Sequence, residues 1–165
     1  MTDKLWVPDY STCWAGVRDW TVDPAGVLYP LTGGGPWPQD KDMIAECRHS
    51  ATRHPNEFPP VEGCGCGLWA FYSPLEIVNR HDALDHYGIS GLISAWGGIV
   101  PYGNGFRAEC ARVEAIFDHP AMPQPLTLSK RAIADAYGAD VISPLYFDDY
   151  CERRGFILPE PDDDL

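Results

Sequence analysis

Cys47-Arg48-His49-Ser50-Ala51-Thr52-Arg53-His54-Pro55, followed by Gly63-Cys64-Gly65-Cys66-Gly67, is the stretch that decides how this chain is organised. Three of the six cysteines and two of the five histidines fall in it, with neither helical nor strand periodicity. A segment this rich in Pro and Gly buries little apolar surface, so something other than a core must hold it in shape. A Zn²⁺ ion does so by drawing thiolates and imidazole into a tetrahedron. Cys47, His54, Cys64 and Cys66 make a complete set of four in the spacing C-x6-H-x9-C-x-C, with no position left open for a substrate. The expected cofactor is therefore structural zinc.

Two sulfurs in C-x-C reach one metal if the intervening residue is small and the turn tight, which Gly65 allows. Gly63 and Gly67 permit φ > 0 on either side. His49 is the rival imidazole. One residue from Cys47 it would crowd the ligands, whereas Pro55 stiffens the chain after His54, so His54 is preferred. The alternatives are reduced, unligated thiols and a Cys64/Cys66 redox pair.

The 165 residues suffice for a real core, and 45 % apolar content with six Trp and eight Tyr predicts a globular chain. Gly and Pro account for 32 residues, which favours short elements joined by many turns. A net charge of −12 argues against sequence-independent binding to nucleic acid and against an anionic membrane surface. No apolar run of membrane-spanning length occurs, and Met1 to Trp6 lacks the apolar core of a signal peptide. The expected location is the cytoplasm, or the host cytoplasm for a phage protein, where clustered Cys and His favour a metal over disulfides. Cys13, Cys110 and Cys151 have no clustered cations or ligand partners nearby in sequence and are expected to be packing thiols. The Arg:Lys ratio of nine to three points to a GC-rich genome.

Working outward, Val17–Val22 and Val27–Tyr29 predict a hairpin turning at Asp23-Pro24-Ala25-Gly26. Gly33 to Pro38 is a connector, and Leu68–Tyr72 leaves the knuckle as a strand. Ser73-Pro74-Leu75-Glu76 carries the signals of a helix start and predicts a helix to about Tyr87, on which His81 and His86 do not share a face. Leu92–Val100 and Phe106–Phe117 predict two long strands joined at Asn104-Gly105, with Gly97-Gly98 marking a bulge. Pro120, Pro123 and Pro125 form a stiff linker. Helices are predicted from Leu128 to Tyr137 and from Ser143 to Gly155. The fold class is α+β: a loop-rich antiparallel sheet stapled by a zinc knuckle, a capped helix after it, and two short C-terminal helices. Residues 1–119 form the β-rich domain, 120–160 a helical extension packed on it, and 161–165 an acidic tail.

Cys64-Gly65-Cys66-Gly67-Leu68-Trp69-Ala70, then Trp96-Gly97-Gly98 and Gly105-Phe106-Arg107-Ala108-Glu109, resemble motifs of small zinc-knuckle proteins of actinobacteria and their phages. The resemblance spans roughly residues 45–117. It implies a zinc-knuckle β-domain with Cys47, His54, Cys64 and Cys66 at the ligand positions, and it implies no activity. The helix between Tyr72 and Leu92 departs from the usual pattern.

Three functions compete. A protein-interaction module, acting on a host or partner protein, suits the abundance of aromatics. Its expected contact face is Trp96, Tyr102, Phe106 and Arg107 on the long hairpin. A small enzyme would work around Arg107 and Glu109 near Trp96, with His49, His81 or His119, but no nucleophile elbow, HExxH, P-loop or dinucleotide motif accompanies them. A nucleic-acid regulator would use residues 128–155 as a helix-turn-helix, against which stand Asp148, Asp149, Glu152 and Pro144. The interaction module is preferred, with no membrane or nucleic-acid partner. The sequence does not define an oligomeric state.

Overall fold

The computed structural model describes residues 4–7, 12–31, 34–47, 54–78, 88–119 and 128–160. The chain begins with strands β1 (Leu5–Val7), β2 (Trp14–Val22), β3 (Leu28–Pro30), β4 (Met43–Ile44) and β5 (Leu68–Phe71). Helix α1 (Pro74–Val78) and the long strands β6 (Gly88–Tyr102) and β7 (Gly105–Phe117) follow. Helix α2 (Lys130–Ala136), strand β8 (Asp140–Ile142), a 3-10 turn (Pro144–Tyr146) and helix α3 (Phe147–Arg154) complete the order. The fold is α+β. All eight strands share one sheet, antiparallel except where β8 runs parallel to β7.

The β6–β7 hairpin is the frame. Tyr102 lies opposite Gly105, so the two-residue turn is Gly103-Asn104, one position earlier than the sequence suggests. Two irregularities bend it. Gly97 and Gly98 face the single residue Glu109, because the register passes from Trp96↔Cys110 to Ile99↔Ala108. Gly97 has φ 79°, and a Cβ there would lie 2.8 Å from Glu109 Oε2. The second extra residue is Glu114 on β7, between Leu92↔Ala115 and Ile93↔Val113. Such bulges increase twist, which lets the sheet curl.

Curling brings β2 to β5. β6 pairs with β2 on one side and β7 on the other, β7 pairs with β5, and β5 meets β2 at Val17↔Phe71, closing a ring of four strands. Both sides of the sheet are covered. One apolar cluster joins Trp20, Leu28, Trp37, Phe106 and Ile116 to Ile133 and Ala134 of α2. The other joins Val17, Phe71, Leu92 and Phe117 to Phe147, Tyr150 and Cys151 of α3. This explains why β7 lacks a single apolar face in sequence: it is buried on both.

The predicted 16–32 hairpin is present as β2–β3, with Trp20↔Pro30 and Val22↔Leu28. Ser73 Oγ accepts a hydrogen bond from the Leu75 N–H at 3.2 Å at the start of α1. The rest of that predicted helix, with His81 and His86, lies outside the described residues, as do the proline linker and the acidic tail. Ser129 caps α2 through the Ala132 N–H at 3.1 Å, and α3 ends before Gly155. Strand β8 is an addition to the elements expected from the sequence. It separates the two C-terminal helices, which pack into different clusters, so residues 128–155 are not a helix-turn-helix. No helix among the described residues is long and apolar enough to cross a membrane.

Candidate metal centre

Two neighbouring strands deliver the four ligands. β4 pairs with β7 through Met43↔Ala111 and Ile44↔Cys110, and the Ala45 N–H donates to the Glu109 carbonyl at 2.7 Å, which leads directly to Cys47. β5 pairs with the adjoining part of β7, Leu68 facing Ala108, and is immediately preceded by Cys64 and Cys66. Both ends of the Cys/His arm are thus anchored on one edge of β7. The arm itself has little core, a small cluster of Val61, Cys64, Cys66 and Cys47.

The ligand atoms of Cys47, His54, Cys64 and Cys66 lie within 4.8 Å of one another. His54 Nε2 is 3.1 Å from Cys47 Sγ and 3.7 Å from Cys66 Sγ, and Cys47 Sγ is 3.7 Å from Cys64 Sγ. None of the six cysteines, all within the described residues, is in a disulfide. His54 Nδ1 is 3.3 Å from the Glu57 carbonyl, an acceptor, so Nδ1 carries the proton and the Nε2 lone pair points at the sulfurs. His54, Cys64 and Cys66 are buried. Gly63 and Gly67 both take positive φ as anticipated, and at Gly67 a Cβ would meet Pro60 at 2.8 Å.

The two sulfurs of the C-x-C turn differ in acidity. The Cys66 backbone N–H, with help from His54, pulls the Cys64 thiol down to about 6, while burial pushes Cys66 up to about 11. The thiolate is the form that binds metal, and a bound cation favours it at every sulfur.

Arg107 completes the centre from below. Its Nη1 donates to the Cys64 carbonyl and, at 2.7 Å, to the Cys66 carbonyl. Its guanidinium lies 4.9 Å from the Tyr102 ring centre. Burial lowers its pKa, and the charges of Cys66 and Cys64 oppose that. Arg107 therefore supports the knuckle backbone. This role depends on the register Trp69↔Arg107, which places the guanidinium under the C-x-C turn and is not visible in sequence.

That position also corrects the expected contact face. Phe106 is 0 % exposed, inside the ring of strands, and Arg107 is 7 % exposed, while Trp96 and Tyr102 are half-buried. These four side chains do not form an exposed patch. Arg107 and Glu109 do not act together either, since Glu109 Oε2 accepts from the Gly98 N–H at 2.9 Å and so stabilises the bulge. His49 lies outside the described residues. Burial pushes Cys110 up to about 11 and Cys151 up to about 12, as expected of packing thiols.

Compared with known protein families, curated proteins and solved structures, the chain matches none.

Proposed function

We propose that Cys47, His54, Cys64 and Cys66 hold one structural Zn²⁺, and that the protein is a zinc-stapled module that acts by binding another protein. The ligand spacing carries the first half. A tetrahedral site with Zn–S of about 2.3 Å and Zn–N of about 2.0–2.1 Å has S···S edges of roughly 3.8 Å and S···N edges of roughly 3.6 Å. The Cys47–Cys64 and Cys66–His54 separations of 3.7 Å match those edges, while Cys47–His54 at 3.1 Å is shorter than one. Three sulfurs and one imidazole suit zinc and not the hard oxygen-seeking cations. Three thiolates and a neutral imidazole would leave the ion with a net negative charge, which the Arg107 guanidinium is placed to balance. A four-ligand shell has no position for an activated water, so the metal's contribution is to folding.

The second half rests on exposed aromatics beside the staple. Phe58, within the Cys/His arm, is 77 % exposed, and Trp6 on β1 is 68 % exposed. Lys4 Nζ donates to the Phe58 carbonyl at 3.0 Å, so β1 and the arm adjoin. Large exposed aromatics held on a rigid scaffold are the residue type that dominates protein contacts. In the actinobacterial or phage setting that the sequence motifs imply, the partner is a host protein.

Elemental analysis of protein purified without added metal should give close to one zinc per chain, and a value near zero would refute the metal site. A Trp6→Ser/Phe58→Ser variant should keep its zinc and its melting temperature but lose the partner that the unaltered protein captures from host lysate. An unchanged set of captured proteins would refute this contact face.

A further inference from the structure

A cavity of about 990 Å³ lies between the knuckle, the strap at Gly34–Pro38 and β4. Its size is that of a small-molecule site. Beyond Val17↔Phe71, β2 and β5 have no further pair, and the Trp69 carbonyl is taken instead by Nη1 of Arg18. The cavity opens at this gap, lined by Arg18, Trp37, Trp69, Arg107 and the knuckle residues Cys64 and Cys66.

Three cations among the described residues have carboxylate partners, and the two guanidiniums at the cavity do not. Arg112 bonds Asp42, Arg154 bonds Glu114, and Lys130 bonds Asp118. Arg18 forms no ion pair among the described residues, and Arg107, whose charge faces the knuckle sulfurs, has no carboxylate partner either. The protein acceptors of both guanidiniums are neutral carbonyls. Arg18 Nε is buried with no hydrogen-bond partner, and Trp37 Nε1, under the same guanidinium at 5.1 Å, is likewise buried without one. Burial lowers the Arg18 pKa to about 10 despite the neighbouring charge of Asp19, and a buried N–H without an acceptor costs about 1–3 kcal/mol. Asp42, also on the cavity, is engaged by Arg112 Nε at 2.8 Å, and the exposed Glu46 sits at the rim.

We propose that this cavity binds a small anionic ligand through a carboxylate or phosphate group, which accepts from Arg18 and Arg107 while its apolar part lies against Trp37 and Trp69. Guanidinium forks match such oxyanions. The site goes beyond the partner-binding reading and needs the metal only as a wall.

Inorganic phosphate and citrate are suitable probes, each titrated into the protein as purified without added metal and followed by tryptophan fluorescence and calorimetry. Saturable one-to-one binding of either is expected, phosphate alone identifying a phosphate site and citrate alone a carboxylate site. Arg18→Gln should weaken it by about tenfold or more. Glu46→Gln, an exposed rim change that leaves the core intact, should tighten it by about two- to fivefold. No saturation with either anion, or affinities that neither variant changes, would overturn the site. Zinc content measured on the same samples separates the two claims: binding without zinc refutes only the metal centre, and zinc without binding refutes only the anion site.

Discussion

Arg107 shows how much a single side chain can be asked to do. Its Nη1 ties together the carbonyls of Cys64 and Cys66, its charge faces their sulfurs, and Tyr102 lies against its guanidinium. Partners of this kind, one shell out from a metal, are worth roughly 10–100-fold in metal affinity. On the proposed zinc reading, Arg107→Gln should therefore lose the metal to a competing chelator about tenfold more readily than the unaltered protein, with Arg107→Lys intermediate because it keeps the charge but not the fork. Chelator competition read by a zinc-sensitive dye checks this. Equal retention in all three proteins would mean that the carbonyl contacts are incidental.

Among the elements, the β6–β7 hairpin governs the fold, and its bulges are the means. At Gly97 the positive φ and the proximity of Glu109 leave no room for a side chain. Gly97→Ala is expected to cost about 1–2 kcal/mol from the backbone conformation alone, plus whatever Glu109 loses in moving from the Gly98 N–H. The measurement is the urea midpoint at constant slope. A midpoint equal to that of the unaltered protein would show that the bulge can shift along the strand. Straightening the hairpin here would also move the 105–111 edge on which β4 and β5 carry the Cys/His cluster.

Across the molecule, the C-terminal helices and β8 close the fold from both sides, and a part-buried polar network ties on α3 and β8. Glu114, the extra residue of the second bulge, accepts from Ser94 Oγ at 2.6 Å and from Arg154 Nη2 at 2.9 Å. Tyr150 donates to Asp140 at 2.8 Å and accepts from Arg154 at 3.1 Å. Burial raises the Glu114 pKa above its ordinary 4.5, with the Ser94 and Arg154 contacts opposing the rise. A carboxyl raised in the folded state binds its proton more tightly there than when unfolded. Its stabilising contribution is therefore complete below about pH 4.5 and is lost as pH rises through the raised value. Glu114→Gln removes that titration. The stability of the variant relative to the unaltered protein should rise between pH 4.5 and pH 7.5, whatever the fixed cost of placing an amide beside Arg154. Chemical denaturation at several pH values tests this. A difference that stays flat or falls would mean that Arg154 outweighs the burial.

The Cys/His cluster, the α+β class, both hairpins, the Gly97-Gly98 bulge, the Ser143 cap and the stop at Gly155 were legible in the amino-acid order. Each depends on local chemistry: which atoms bind metal, which backbone a glycine permits, which hydroxyl caps a helix. Three things were not legible. Strand β8 is three residues long, and only the open edge of β7 makes it a strand. Phe106, which reads like an exposed hairpin aromatic, is interior because the sheet closes through Val17↔Phe71. Arg107 reaches the knuckle, and Arg18 the cavity, because β5 is registered against β7 and parts from β2 beyond one residue pair. Ring closure and strand register are long-range properties, decided by how the two apolar clusters pack together, and no window of neighbouring residues carries them.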